Sequence, residues 1–572
     1  MAKGHGASGH GRGASGHGRS GGVVVYADAN NGSDGDGDGT IAKPYKSAQR
    51  ALDKVRSSSS GGRGLNNATI NLRAGTYFLA SPLALTASDS GLTVQTFPGD
   101  ATAWLSGSVP LAGVVWKRAS APNAPSGSNV WSADLSSIKG LPSDGVRSLR
   151  IEGGSRGILA RYPNCNPETE LCFGKKGGNN ANPTTTSASS WAQFSESRDS
   201  TSYTAPAGTS RHFCGPDGGS QGCDVPYKMK IGRAGCDRLT PNISHFCEGF
   251  KVVGATVSGA EAPHQPYADP TGALFSAMHG GSWCSFAYEV GATQHMPRVY
   301  TWDASLQRGA FSFSGGGQQC NRQESSHGPL VIENVLEELD APGEFFFNRT
   351  TQLLTFWHNA TAGTAPPADG SIVVPSLHTL VSVDGTQSQP VRDVALRGIG
   401  IRDTAPTVMF PHTGPSGGDW SINRFAAVTA KGAEDFTVTG CTFTRLDNAG
   451  VFLGGYNRDA EISDNEFAWL GESAVVSLGD TEGAPVPGWG VNGTAGNQPR
   501  GTKLWRNFGR ELGIINKQSA LYFQAVTDGA DIRGNVAFNG ARSGANFNDC
   551  FGSGSNFTEN VFFNFNRETV CS

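Results

Sequence analysis

The chain of 572 residues is poor in charge: Asp, Glu, Lys and Arg make up 16% of it, with 45 basic side chains against 49 acidic. A formal net charge of -4 and a pI near 6.3 give no case for nucleic-acid binding. Long hydrophobic runs are also lacking. No stretch is apolar for long enough to span a bilayer, and Val23-Val24-Val25-Tyr26 is too short for the apolar part of a signal peptide. No C-x2-C pair exists, which weighs against a zinc site. No P-loop, G-x-S-x-G, H-E-x-x-H or dinucleotide fingerprint stands in a convincing context. Glycine is abundant, at 79 residues, yet it has no strict three-residue period, which excludes a collagen-like chain.

What is present is a repeat. Ile462-Ser463-Asp464-Asn465, Leu504-Trp505-Arg506-Asn507, Ile532-Arg533-Gly534-Asn535 and Phe557-Thr558-Glu559-Asn560 share one pattern: an apolar residue, two variable residues, then Asn. Val438-Thr439-Gly440-Cys441 is an earlier copy with Cys in the Asn slot, 24 residues before the first. A period near 24 built from short β-rich units predicts a solenoid. An Asn at one inner corner of each coil predicts a stacked amide ladder that satisfies buried turn backbone. Two coils are longer, with a spacing of 42 from Leu396 to Val438 and again from Asn465 to Asn507. Their surplus includes residues 403–420 and 479–500, and long loops on minimal coils are usually functional.

The expected fold is therefore all-β, a right-handed parallel β-helix with an N-terminal capping helix and a disulfide-rich insertion. Residues 1–22 read as a disordered Gly/His/Arg/Ser tail, with G-A-S-G-H-G-R starting at both Gly6 and Gly13. Residues 23–160 read as N-terminal coils, capped by a helix over Ser47 to Arg56. Residues 161–325 read as a cysteine-rich insertion and 326–572 as C-terminal coils. Eight of the eleven cysteines lie between Cys165 and Cys320, a clustering that suits disulfides in an oxidising compartment. Seven N-x-S/T sequons, at Asn31, Asn67, Asn242, Asn348, Asn359, Asn492 and Asn556, agree with a secreted or cell-surface protein bearing N-glycans, although no signal peptide is visible. Asp34, Asp36 and Asp38 evoke a calcium loop, but Tyr45 stands where the twelfth-position Glu belongs, so a solvated turn is the preferred reading and no cofactor is called for.

The run from Glu333 to Phe345 (E-N-V-L-E-E-L-D-A-P-G-E-F) is followed by P-S-G-G-D-W from Pro415, T-R-L-D-N from Thr444, G-Y-N-R from Gly455, K-Q-S from Lys517 and F-N-D from Phe547. Together these motifs resemble a family of secreted eukaryotic right-handed β-helix proteins of the pectate-lyase-like superfamily, over roughly residues 140–572. Two departures stand out. Cys550 replaces the glycine that usually follows N-D, and the chain stops at Ser572, where the family pattern continues into a His- and Trp-containing segment. The resemblance implies a polysaccharide partner. The superfamily includes polysaccharide lyases and glycoside hydrolases, a link at fold level only.

Aligning the coils on the Asn slot places Asp447, Glu472, Lys517 and Arg542 on four successive coils, in the order acid, acid, base, base. Parallel strands lie about 4.8 Å apart, so these four form a ridge of candidate catalytic residues. In a glycosidase, Asp447 and Glu472 would be the acid/base pair. In a lyase acting on uronic acids, Arg542 would hold the carboxylate and Lys517 would take the C5 proton. A plain salt-bridge ladder along a solvent edge is the competing reading. Candidate substrate-binding residues are His412 and Trp420 in the first long loop, with Tyr456, Arg458 and Asp549 at another edge. Glu337 and Glu338 could reach a metal, although a structural turn is preferred there. The expected function is extracellular polysaccharide binding and cleavage; the alternative is a non-catalytic matrix or surface glycoprotein built on a rod.

Overall fold

A computed structural model describes residues 22–58, 65, 67–151, 155–162, 164–168, 192–196, 251–253, 264–278, 285–292, 299–303, 308–311, 313–316, 329–410, 412–413, 420, 422–479, 496–548 and 552–565. These residues are nearly all β. The one α-helix, α1 (Ala48–Ser58), buries Ala48, Ala51, Leu52 and Val55, a stripe at helical spacing. Its start is capped by Ser47, whose Oγ accepts the Arg50 N–H at 3.1 Å. Its last turn is pinned by Arg56, which pairs with the buried Asp89 at 2.8 Å. The helix packs on strands Val24–Ala27 and Thr69–Leu72, closing one end of the apolar core.

From there the chain visits three parallel sheets in rotation. Thr69–Leu72 lies in the first, Gly75–Phe78 in the second and Leu83–Thr86 in the third. Thr93–Thr96 then returns to the first, pairing in register with Thr69–Leu72. The rotation is broken once. After Ala103–Ser106 in the second sheet the chain departs, and it re-enters the third sheet at Val381–Asp384, which pairs directly with Leu83–Thr86. It then continues regularly to Val561–Phe563. One continuous apolar core runs through the coils, from Val25 and Leu52 to Leu504, Ile532 and Ala537.

The asparagine column is present. The Nδ2 of Asn465 donates to Asn507 Oδ1 at 2.9 Å, Asn507 to Asn535 at 3.0 Å and Asn535 to Asn560 at 2.8 Å. Each Oδ1 also accepts a backbone N–H one level up, as from Asn465 to Asn507 at 3.1 Å, and each amide donates to a carbonyl such as Ile462 at 2.9 Å. The residue before each Asn is left-handed: Asp464 at φ 57°, Arg506 at 51°, Gly534 at 67° and Glu559 at 57°. That conformation costs a non-glycine residue roughly 1–2 kcal/mol. It turns the chain sharply from the first sheet into the second, and the ladder satisfies the polar groups this turn leaves buried.

The departing segment forms mainly antiparallel sheets. Ser108–Ala112, Val130–Asp134 and Leu149–Ile151 join Glu344–Asn348, Leu353–Trp357 and Asp369–Pro375 in one eight-stranded sheet. The described strands between Ser108 and Leu159, a stretch expected to form further coils, belong here instead. Alternating apolar residues look the same in parallel and antiparallel strands, so periodicity could not separate them. Of the cysteines, Cys165 and Cys441 lie among the described residues; Cys441 is a buried free thiol. The cysteine pairs expected as disulfides involve residues outside those described.

The acidic turn near the N-terminus serves the backbone. Asp34 Oδ1 accepts the N–H groups of Lys46 and Ser47, each at 2.9 Å, and Asp38 Oδ1 accepts that of Thr40 at 2.9 Å. No helix among the described residues is long and apolar enough to cross a membrane.

Candidate functional site

Each coil turns from the second sheet into the third at one corner, and the four charged candidates occupy successive levels of it. Backbone bonds fix the stacking. Asp447 N–H reaches Thr404 O at 3.3 Å, Glu472 N–H reaches Asn448 O at 3.3 Å, Asn516 N–H reaches Gly471 O at 2.8 Å and Ala541 N–H reaches Leu512 O at 3.0 Å. Gly471 is required here: a Cβ on it would lie 2.5 Å from the Asp447 carbonyl carbon and oxygen. The stack also contains Asp403, one level above Asp447, which the sequence did not suggest as a site residue.

The four side chains do not form an open ridge. Asp447 is fully buried, and its Oδ1 accepts from Arg150 Nη2 at 2.8 Å and Arg156 Nη2 at 2.5 Å. Both arginines also hold Glu168, at 2.6 and 2.9 Å. Burial pushes the Glu168 carboxyl up, but the Arg156 and Arg150 guanidiniums outweigh it and hold it at about 2. Burial works against the Arg156 charge as well, and Asp447 and Glu168 reverse that and raise its pKa. Asp447 Oδ2 is buried with no hydrogen-bond partner, as is Asp403 Oδ1. The other Asp403 oxygen accepts from Ser106 Oγ at 3.0 Å and Arg445 Nη2 at 2.8 Å.

Glu472 takes a different kind of partner. Asn423 Nδ2 bridges both its oxygens at 2.7 and 2.9 Å, and Thr407 Oγ1 donates at 3.1 Å. Desolvation pushes its pKa up to about 7, with the Asn423 and Thr407 hydrogen bonds opposing only part of the rise. Lys517 is buried, and its Nζ donates to the carbonyls of Gly513 at 3.0 Å and Ile514 at 2.9 Å. Two carbonyl acceptors favour the ammonium form, which counts against Lys517 as a proton-abstracting base. The Arg542 guanidinium lies 4.5 Å from the Trp420 ring centroid, a cation–π contact.

The remaining candidates separate. Trp420 is 1% exposed, packed 5.2 Å from Phe523 on the outer face of the third sheet, in an apolar cluster with Ile422, Phe452 and Val476. It is core rather than an open sugar platform. His412 stands in a two-residue strand paired with Asn423. Tyr456 and Arg458 sit at the far end of strand Ala449–Arg458 from Asp447. There Arg458 stacks 4.1 Å over the Tyr456 ring and donates to the carbonyls of Asn457, Gln498 and Gly496. Tyr456 in turn donates to Glu434 at 2.6 Å. This pair anchors backbone away from the carboxylate corner. Asp549 lies outside the described residues.

Glu337 and Glu338 are buried and receive the N–H groups of Ala268 at 2.7 Å and His264 at 2.9 Å. His264, Glu338 and Asp340 have ligand atoms within 4.8 Å of one another, the described group with the donors to hold a cation. His264 and Asp340 are already bonded to each other at 2.8 Å.

No protein-family model and no curated protein matches the chain. Among solved structures it is similar to one described as a glycoside hydrolase, with a TM-score of 0.63 and 16% identity, covering 93% of this chain and 80% of that one. A complex of XylC with xylose overlaps more weakly, at a TM-score of 0.37 and 10% identity over 95% of this chain and 62% of that one. The catalytic domain of a GH87 alpha-1,3-glucanase in complex with nigerose gives a TM-score of 0.19 at 11% identity, over 55% and 67%. The first likeness establishes a shared fold, and the other two carry no weight.

Proposed function

We propose that the chain is an extracellular, polysaccharide-cleaving β-helix protein, and that it acts by hydrolysis rather than elimination. The observation that carries this reading is the contrast between Asp447 and Glu472 on adjacent coils. Glu472, its pKa pushed up to about 7 by desolvation, keeps a protonated fraction at neutral pH and is suited to protonate a leaving-group oxygen. Asp447 has one oxygen fixed by two guanidiniums and one bare, and the bare oxygen is the one that would meet a water or a sugar. Two carboxyl groups in contrasting surroundings are what glycoside hydrolysis requires. The fold shared with a glycoside hydrolase agrees with this at the level of architecture. Elimination is less well served, because the Nζ of Lys517, the expected base, is already taken up by two carbonyls. Arginine and lysine on neighbouring levels of the corner suit an acidic polymer. Substrate entry requires Thr407 and Asn423 to move off Glu472. Exposed sequons at Asn31, Asn67, Asn359 and Asn556 and the cysteine-rich 161–325 segment belong to the same reading of a secreted, disulfide-bonded glycoprotein.

A second reading, a non-catalytic glycoprotein rod, is favoured by one observation: Glu472 and Lys517 are both buried and satisfied by protein groups. A single experiment separates the two. The secreted full chain is incubated with a panel of neutral and acidic polysaccharides, and new reducing ends and unsaturated products are both measured. Hydrolysis predicts reducing ends without unsaturation, reduced roughly 100-fold or more by Glu472→Gln. Unsaturated products would replace hydrolysis by elimination, and no product from any polymer would leave the rod.

A further inference from the structure

Beside the carboxylate corner lies a cavity of about 880 Å³ of empty space, mouth included, between the departing antiparallel strands, residues 406–409 and residues 514–517. Its walls are aliphatic, with Leu159, Leu274, Val331, Met409 and Ile514 among them, and none of the described lining residues is aromatic. Sugars are held by aromatic faces and many polar groups, so these walls do not suit a polysaccharide subsite. Among the described lining residues the charge is one-sided: Arg147, Arg156, Arg161 and Lys517 stand against one acid, Glu333.

Three of these cations are engaged elsewhere. Arg147 pairs with Glu289 at 2.5 Å, Arg156 with Asp447 and Glu168, and Lys517 with two carbonyls. Arg161 differs. It is 6% exposed, its Nη1 lies 3.3 Å from Glu333, and its Nε is buried with no hydrogen-bond partner. An N–H of a buried guanidinium left bare costs on the order of 1–3 kcal/mol, so its presence calls for an acceptor.

We propose that this cavity binds a small amphiphilic carboxylate, its anionic head on the Arg161 guanidinium and its aliphatic body against Leu274, Met409 and Ile514. The site is distinct from the cleavage site: the walls select an apolar body, and Arg161 selects one negative charge. It meets the corner at Arg156, which holds Asp447, and at Lys517, whose ammonium is taken up by two carbonyls.

The test is isothermal titration calorimetry on the full chain with sodium octanoate, 1-octanol and galacturonate as probes. Octanoate should bind at least tenfold more tightly than octanol, and galacturonate should not displace it. Arg161→Met should lower octanoate affinity at least tenfold and leave octanol unchanged. Should Arg161→Met fail to fold, Met409→Trp, which fills the cavity, should abolish octanoate binding. Equal affinity for octanol, displacement by galacturonate, or unchanged octanoate binding in the variant that folds would overturn the proposal. Polysaccharide cleavage is a separate readout: octanoate binding without cleavage leaves this site standing, and cleavage without octanoate binding removes it alone.

Discussion

Replacing Asn507 by Leu removes one amide from the interior of the ladder while keeping side-chain volume similar. Asn507 is 1% exposed, so water cannot take over its bonds. The change orphans the Asn465 backbone N–H, which donates to Asn507 Oδ1 at 3.1 Å, and the Ile462 carbonyl, which accepts from Nδ2 at 2.9 Å. Each buried group left unsatisfied costs about 1–3 kcal/mol. A long stack of coils does not unfold as one unit, so a global free energy is a poor readout. Amide hydrogen exchange at Asn465 is the direct one. A loss of about 2 kcal/mol there accelerates exchange about 30-fold, since about 1.4 kcal/mol is tenfold. Asn560→Leu is the control. It removes the acceptor of Asn535 N–H, which donates at 3.0 Å, and should accelerate exchange at Asn535 while leaving Asn465, two levels away, unchanged. Unchanged exchange at Asn465 in Asn507→Leu, or equal acceleration there in both variants, would show that the ladder does not carry local stability.

The raised pKa of Glu472 has a sign that can be checked. An acid whose folded pKa is about 7 against 4.5 unfolded adds stability below pH 4.5 and loses it as pH rises to 7. Glu472→Gln should flatten that slope by up to about 3 kcal/mol, read from denaturant melts at pH 4.5 and pH 7.5. Arg156→Met leaves Asp447 and Glu168 with one guanidinium between them and should cost about 3–5 kcal/mol. Thermal melts on that variant and on Arg156→Lys separate loss of charge from loss of the forked geometry. Gly471→Ala drives a methyl into the Asp447 backbone and should cost at least about 1–3 kcal/mol; an unchanged melting temperature would contradict the close stacking of these two coils. Cys441, buried and with its thiol pKa pushed up to about 12 by desolvation, should resist alkylation in the native chain and label only on unfolding, as followed by peptide mass spectrometry.

Much of the architecture was legible because it repeats. A left-handed residue recurs where the first sheet turns into the second, followed by Asn in four successive coils, and a repeating local constraint leaves a repeating local signal. The capping helix was legible for a similar reason: Ala48, Ala51, Leu52 and Val55 mark a helical stripe that a strand cannot use. The extent of the departing segment was not legible. Ser108–Ala112 and Val130–Asp134 alternate as coil strands do, and only their partners, Asp369–Pro375 and Leu353–Trp357, make them antiparallel. Those partners lie more than two hundred residues away in the chain.

The corner shows the same division between local and distant information. Aligning coils was enough to place Asp447, Glu472, Lys517 and Arg542 on successive levels, because stacking follows from the repeat. What each charge does depends on groups the repeat does not contain. Arg150 and Arg156 come from the departing segment, some three hundred residues before Asp447, and Asn423 and Thr407 from a long loop. Spacing alone favoured four charges that answer one another along a solvent edge. Instead, Asp447 is paired with arginines from the antiparallel sheet, the Glu472 pKa is pushed up by burial, and Lys517 is bound by its own turn. The two carboxyl groups are thereby given opposite surroundings at adjacent levels. A salt-bridge ladder would have paired each acid with a base and left no reason for a bare Asp447 oxygen beside a protonatable Glu472. That asymmetry is imposed by two separate insertions into a regular stack, and it is why the corner, rather than either edge of the third sheet, is the place to look for chemistry.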